Sequence, residues 1–103
     1  MSTLDDLNCQ SFREVMESDF EVRHQGGSVA LKLVEVFEKN ESPRFEQFAL
    51  TFRGPLEPLL PQCIHRFEHP VLGPRDMFAV PLGPDGDGMQ YEVVFNRRRR
   101  AGK

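Results

Sequence analysis

The stretch SVALKLVEVF, residues 28–37, is the strongest strand signal in the chain. Apolar and polar residues alternate from Val29 to Leu33, so the apolar side chains lie on one face of an extended strand. The valines that follow, Val34 and Val36, fall on the opposite face. This change of face predicts either burial on both sides or a β-bulge near Leu33 and Val34.

The residues before this stretch predict its hairpin partner. Phe20 and Val22 alternate with charged residues and lead into Gln25-Gly26-Gly27. Glycine adopts a positive φ without a steric cost, which a tight hairpin turn requires. We therefore predict that a strand beginning at Asp19 pairs antiparallel with residues 28–37.

Four further strand signals follow, each bounded by turn residues. They are Phe48–Phe52, Cys63–His69, Met77–Leu82 and Met89–Phe95. Pro81 predicts a sheet edge or a strand end, because proline cannot donate a hydrogen bond to a neighbouring strand. Residues 56–62 contain two prolines and predict a loop that covers one end of the core.

The first 17 residues predict a short amphipathic helix instead. Ser2 or Thr3 can cap its N-terminus, and we expect a break near Cys9–Ser11. One face should pack on the sheet, because apolar residues recur at roughly helical intervals. These residues are Leu4, Leu7, Phe12, Val15 and Met16.

The connections between the predicted strands are short, which favours antiparallel pairing over parallel crossovers. The sequence therefore predicts an α+β fold class. About six antiparallel strands form a strongly curved sheet or a partly open barrel, with one N-terminal helix. Residues 1–96 are expected to form a single small strand-rich domain, and residues 97–103 a disordered basic tail.

The charges are unevenly distributed along the chain. Five of the 13 basic residues, Arg97–Arg100 and Lys103, fall in the last seven positions, which leaves eight basic residues against 16 acidic ones elsewhere. An acidic body repels phosphate backbones. We therefore expect no nucleic-acid partner for the domain, except through Arg97, Arg98, Arg99 and Arg100.

Composition also bears on the compartment. No stretch approaches the roughly 20 apolar residues that a membrane span needs, and the polar, acidic residues 1–8 differ from a secretory signal. Two cysteines, Cys9 and Cys63, are too few for a disulfide scaffold. The sequence therefore predicts a cytoplasmic protein with reduced thiols and no membrane partner.

Three segments of the second half carry a resemblance. They are Phe52-Arg53-Gly54-Pro55, His69-Pro70-Val71-Leu72-Gly73 and Tyr91-Glu92-Val93-Val94-Phe95-Asn96. In this order and spacing, they resemble a family of small bacterial proteins of unknown function, over residues 20–96. The resemblance implies no activity, and it implies a loose association with phage-tail-like or surface assemblies. It also implies a small turn residue near Cys63, from which this chain departs.

Cys63, His65 and His69 share one side of a predicted strand, and both residue types bind zinc. Alternate positions on a strand are about 6.6 Å apart, so an extended strand cannot bring both histidines to one ion. A further ligand, such as Asp76, would also be needed.

Cys63 beside His65 has the residue types for nucleophilic catalysis, but no glycine-rich oxyanion turn surrounds them. We therefore predict no metal, cofactor or catalytic residue. If a metal did bind, Cys63 and His65 would be the candidate ligands.

A different group of polar residues lies within or at the ends of predicted strands: Arg53, Glu68, His69, Tyr91 and Glu92. A curved sheet could bring several of them together. One interpretation is an ion-pair network that fixes strand register; the other is a recognition patch for a protein or a small polar ligand. The first interpretation predicts that Arg53→Ala lowers thermal stability more than it changes binding.

The main functional hypothesis is a non-catalytic protein-binding or assembly module, since strand edges and loops are partner surfaces. One alternative is a small-ligand or metal-dependent enzyme that uses the mouth of the curved sheet. A second alternative is a nucleic-acid accessory protein that acts through the basic tail.

Overall fold

A computed structural model describes residues 9–39, 45–86 and 88–98. Within them, a short helix precedes six strands. The elements are α1 (Cys9–Arg13), β1 (Asp19–His24), β2 (Gly27–Lys39), β3 (Phe45–Pro55), β4 (Cys63–Glu68), β5 (Arg75–Asp85) and β6 (Gly88–Arg98).

The six strands form a closed antiparallel barrel in the order β1-β2-β3-β6-β5-β4. The predicted fold is therefore confirmed. Closure comes from β1 and β4, which pair at Glu21↔Glu68 and Val22↔Phe67.

Pro81 does not mark a sheet edge, and that prediction is wrong. It lies inside β5, beyond the end of the ladder with β4, whose last pair is Cys63↔Ala79. On the other side, the ladder with β6 shifts register between Pro81 and Gly83. The missing N–H of proline is tolerated because the regular ladders are interrupted on both sides.

The predicted hairpin and bulge are both confirmed. β1 and β2 pair as far as His24↔Gly27, so Gln25 and Gly26 form a two-residue turn. Both have positive φ, 48° and 81°, as a turn that matches the strand twist requires. The β2–β3 register shifts between Leu33 and Glu35, which identifies the bulge.

Several strand boundaries differ from the expectation. β2, β3 and β5 extend at both ends beyond their predicted ranges, and β6 continues two residues past Asn96. Residues 1–8 of the predicted helix and residues 99–103 of the predicted tail lie outside the described residues.

Helix α1 packs against the core near the Phe48 and Phe95 rings. Cys9 and Phe12, three positions apart, are both buried. The Phe12 ring centroid lies 6.0 Å from that of Phe48 and 5.6 Å from that of Phe95. Residues 9–13 are helical throughout, and the part of the predicted helix before the expected break near Cys9–Ser11 lies outside the described residues.

The loop at residues 56–62 contributes Leu60, which is fully buried, to the same core. The Leu60 N–H donates to the Tyr91 hydroxyl at 2.9 Å. The covering loop predicted here is therefore confirmed. In the described ranges, no helix is both long and apolar enough to cross a membrane.

Candidate functional site

The five residues of the predicted patch do not meet in one place. Glu68 and His69 lie where β4 ends beside β1, whereas Arg53, Tyr91 and Glu92 lie on the neighbouring strands β3 and β6. Tyr91 points into the core and is buried, and Glu92 is half-buried on the outer face of β6. Most of these side chains make contacts within the domain.

Arg53 fastens the β5–β6 hairpin to β3. Its Nη2 donates to the backbone oxygen of Asp85 at 2.8 Å, and its Nε lies 3.9 Å from the Asp85 carboxylate. The pair is exposed, so the ionic part contributes little, whereas the hydrogen bond to the backbone fixes the turn.

Arg53→Ala should lower the free energy of unfolding by about 1 kcal/mol, because it removes this backbone hydrogen bond. In a domain of this size the melting temperature would fall by about 4–8 °C. Arg66→Ala is the matched control, since Arg66 makes an exposed ion pair with Asp76 at 3.2 Å. That variant should lose less than about 0.5 kcal/mol. Equal melting temperatures for the two variants, measured by calorimetry, would refute the structural role.

His69 joins the β4–β5 turn to the segment that precedes β1. Its Nδ1 accepts hydrogen bonds from the backbone N–H of Val71 at 3.0 Å and of Leu72 at 3.4 Å. The proton of the neutral ring is therefore on Nε2, which donates to the Ser18 hydroxyl oxygen at 2.9 Å. Ser18 in turn donates to the backbone oxygen of Val15.

Ser18 and His69 are the residue types of a catalytic dyad, but the hydrogen bond between them runs in the opposite direction. A general base must accept the serine proton, whereas here the imidazole donates to the hydroxyl. Burial lowers the pKa of His69 below its usual range, which favours the neutral ring. The arrangement stabilises two loops and does not activate Ser18.

Cys63 and His65 are arranged in a similar way. His65 and His69 are each only 7% exposed, so the prediction that they share one side is confirmed, and that side faces inward. His65 Nε2 donates to the Pro61 carbonyl at 2.9 Å and lies 3.4 Å from Cys63 Sγ. Because this nitrogen carries its hydrogen, it has no lone pair for a thiol proton or a metal ion.

The described residues contain no group of three or more His, Cys, Asp or Glu side chains placed to hold a metal ion. Asp76, the further ligand considered, pairs with Arg66 on the outer surface. His65 lies on β4 and His69 directly follows the end of that strand, and the two side chains are bonded to different loops.

An apolar groove lies on the outer face of β2, β3 and β6, with a volume of about 250 Å³. Phe37 pairs with Ala49, and Ala49 pairs with Val94, so a small residue separates two large ones. Phe37 is 57% exposed and Val94 is 62% exposed. We call this feature the outer groove. Its lining residues are Phe37, Gln47, Phe48, Ala49, Val94, Phe95 and Asn96.

Sequence reasoning missed the outer groove because the bulge in β2 changes which residues face outward. Without it, Val34 and Val36 would be outward and Phe37 inward. The register shift leaves Val36 packed against the core and Phe37 on the surface. The sequence did contain a signal for this site. If the alternation of faces is continued beyond the predicted bulge, Phe37 falls on the outer face.

A second, more open groove of about 770 Å³ runs along β1 and the turn after β4. It is lined by His69, by the turn residues Pro70, Gly73 and Pro74, and by three carboxylates, Asp19, Glu21 and Glu68. Glu68 is paired with Arg23 at 3.2 Å.

The structure therefore defines a small antiparallel barrel domain with a short helix packed into its core. A family model described as a domain of unknown function, DUF6916, matches residues 7–95, and the chain belongs to this family. The expected membership in a family of unknown function is thus confirmed. Comparisons with curated proteins and with solved structures found no match.

Proposed function

We propose that this domain is a non-catalytic protein-binding or assembly module and that its partner docks in the outer groove. The observation that carries the proposal is the exposure of Phe37 and Val94 on either side of Ala49. Exposed apolar surface of this kind costs solubility, and on a folded domain it commonly marks an interaction site. A partner side chain seated over Ala49 would contact both walls of the groove.

The rim of the outer groove fits a polypeptide partner. Gln47 and Asn96 pair with each other across β3 and β6, and both line the groove. Their amides can donate and accept hydrogen bonds beside an apolar centre. Protein interfaces have this composition, with apolar residues at the centre and polar residues at the rim.

The alternative of a ligand- or metal-dependent enzyme has less support. The His65 and His69 side chains are both buried and bonded to backbone groups of the neighbouring loops. A general base or a metal ligand needs a free lone pair at the reacting site. The outer groove, by contrast, presents carbon-rich surface to solvent.

We propose that the domain binds its partner in a bacterial cytoplasm, where the thiols of Cys9 and Cys63, neither of which forms a disulfide, would remain reduced. The partner is proposed to be another protein, in a larger assembly of the phage-tail-like or surface type. The excess of acidic residues outside positions 97–103 favours a protein over a nucleic acid.

Phe37→Asp should weaken partner binding while the domain stays folded, because it places a charge in the apolar centre of the groove. The test is quantitative affinity capture from a lysate of the source cells, followed by titration of the captured chain. We expect affinity to fall at least tenfold, since an aromatic anchor commonly contributes more than 1.4 kcal/mol.

Phe78→Asp is the matched control, because Phe78 is 48% exposed on β5 and does not line the outer groove. This variant should capture the same chain at the same stoichiometry as the unaltered protein. Equal capture by the Phe37 and Phe78 variants, with equal melting temperatures, would overturn the proposal.

A further inference from the structure

His69 connects two segments that are far apart in sequence. One is the turn at residues 70–73, whose first two N–H groups after Pro70 donate to Nδ1. The other is the segment at residues 14–18, which Nε2 reaches through the Ser18 hydroxyl. The turn is also closed by a hydrogen bond from the Gly73 N–H to the His69 carbonyl at 2.8 Å. The ring itself packs on Phe20, with centroids 4.6 Å apart.

Protonation of His69 is incompatible with this network. The only free lone pair of the neutral ring, at Nδ1, is the acceptor for both turn N–H groups. A proton at Nδ1 would place an N–H donor against two other donors, and both hydrogen bonds would be lost. The Gly73 contact to the backbone oxygen would not compensate for these two losses.

Several charged groups surround His69 on the adjoining elements. Three of them, Asp19 and Glu21 on β1 and Glu68 on β4, line the same groove as His69. The other charged residues of these elements are Glu17 before β1, Arg23 on β1, which pairs with Glu68, Lys32 on β2 and Arg75 at the start of β5. The carboxylates of the neighbouring groove attract an imidazolium, but they accept hydrogen bonds at other positions and cannot replace Nδ1. These carboxylates therefore stabilise the charged form of the ring once the turn has opened.

We propose that His69 is a pH-sensitive switch whose protonation releases the turn at residues 70–73 from the segment at residues 14–18. Pro70 and Gly73 belong to the wall of the groove along β1, so the release widens that groove. The switch is independent of the outer groove, which lies on β2, β3 and β6.

The direction of the pH dependence follows from the ring's environment. Burial lowers the pKa of His69 from its ordinary value of 6.5. The unfolded chain therefore binds more protons than the folded one just below pH 6.5. The contribution of this network to stability is complete above pH 6.5 and decreases as the pH falls toward the lowered pKa.

The test is amide hydrogen exchange by NMR on the full chain, between pH 7.5 and pH 5.0, corrected for the intrinsic rates. We expect the protection of the Val71 and Leu72 amides to fall at least tenfold in step with the titration of the His69 ring. The amides of Leu50 and Phe52 in the barrel core should keep their protection. An unchanged Val71 and Leu72 protection at pH 5.0 would overturn the proposal, as would a parallel loss in the core.

Two variants separate the two halves of the network. His69→Asn retains an acceptor near the Nδ1 position and does not titrate, so the turn should stay protected at both pH values. His69→Gln retains a donor near Nε2 but loses the acceptor, so the turn should be unprotected already at pH 7.5. His24→Gln should behave as the unaltered protein does. An acid response that survives in His69→Asn would contradict the switch, and the wild-type titration decides alone if a variant fails to fold.

Discussion

Phe12→Ala should lower the free energy of unfolding by about 3–5 kcal/mol, the cost typical of removing a fully buried phenylalanine side chain. Phe12 is fully buried and contacts the rings of Phe48 and Phe95. Its loss would leave a cavity in the core between α1 and these rings. Because small domains have about 5–15 kcal/mol in total, the variant would be near its stability limit. Urea unfolding followed by circular dichroism measures the change.

Phe37→Ala removes the same atoms from an exposed position and is the matched control. Surface substitutions usually change stability by less than about 0.5 kcal/mol. If Phe12→Ala cost no more than Phe37→Ala, helix α1 would not form part of the core. A loss confined to Phe12→Ala would show that the packing of this short helix stabilises the domain.

The hairpin turn and the β2 bulge could be predicted because each depends on residues that are neighbours in the sequence. The Gln25–Gly26 turn follows from glycine chemistry, and the β2 bulge follows from the change of face after Leu33. Barrel closure could not be predicted in the same way. It depends on pairs such as Val22↔Phe67, between strands that are distant in sequence and carry no mark of their partner.

The polar residues show a second limit of sequence reasoning. His69 and Tyr91 could be recognised as unusual from their positions in the predicted strands. Their partners could not, because Ser18 lies 51 residues from His69, and Leu60 lies 31 residues from Tyr91. Grouping these residues as one patch assumed that they face the same side, whereas Tyr91 is buried in the core and Arg53 faces outward.

The outer groove was missed for a related reason. The sequence left open whether this strand is buried on both sides or contains a bulge, and these alternatives place Phe37 on opposite faces. The bulge makes Phe37 an exposed aromatic residue instead of an inward-facing one. The functional proposal therefore depends on one register shift between Leu33 and Glu35.

Gly88→Ala should lower the free energy of unfolding by about 1–3 kcal/mol, because β3 and β6 approach too closely there for a side chain. A Cβ at this position would lie 2.7 Å from the backbone oxygen of Gly54 and 3.1 Å from Arg53 Nε. The oxygen cannot move without disturbing the ladder at Pro55↔Gly88. The same glycine leaves room for Arg53 to reach Asp85. Urea unfolding again provides the measurement.

Gly27→Ala is the matched control for this substitution, since the nearest atom to its added Cβ, the His24 carbonyl oxygen, is 3.8 Å away. Replacing glycine where the backbone permits alanine stabilises a protein by about 0.4–1 kcal/mol, because the unfolded chain loses conformational freedom. The two variants should therefore shift the urea midpoint in opposite directions. A stabilising shift for Gly88→Ala would mean that the backbones at Gly54 and Gly88 leave room for a side chain, and the close approach of β3 and β6 would be refuted.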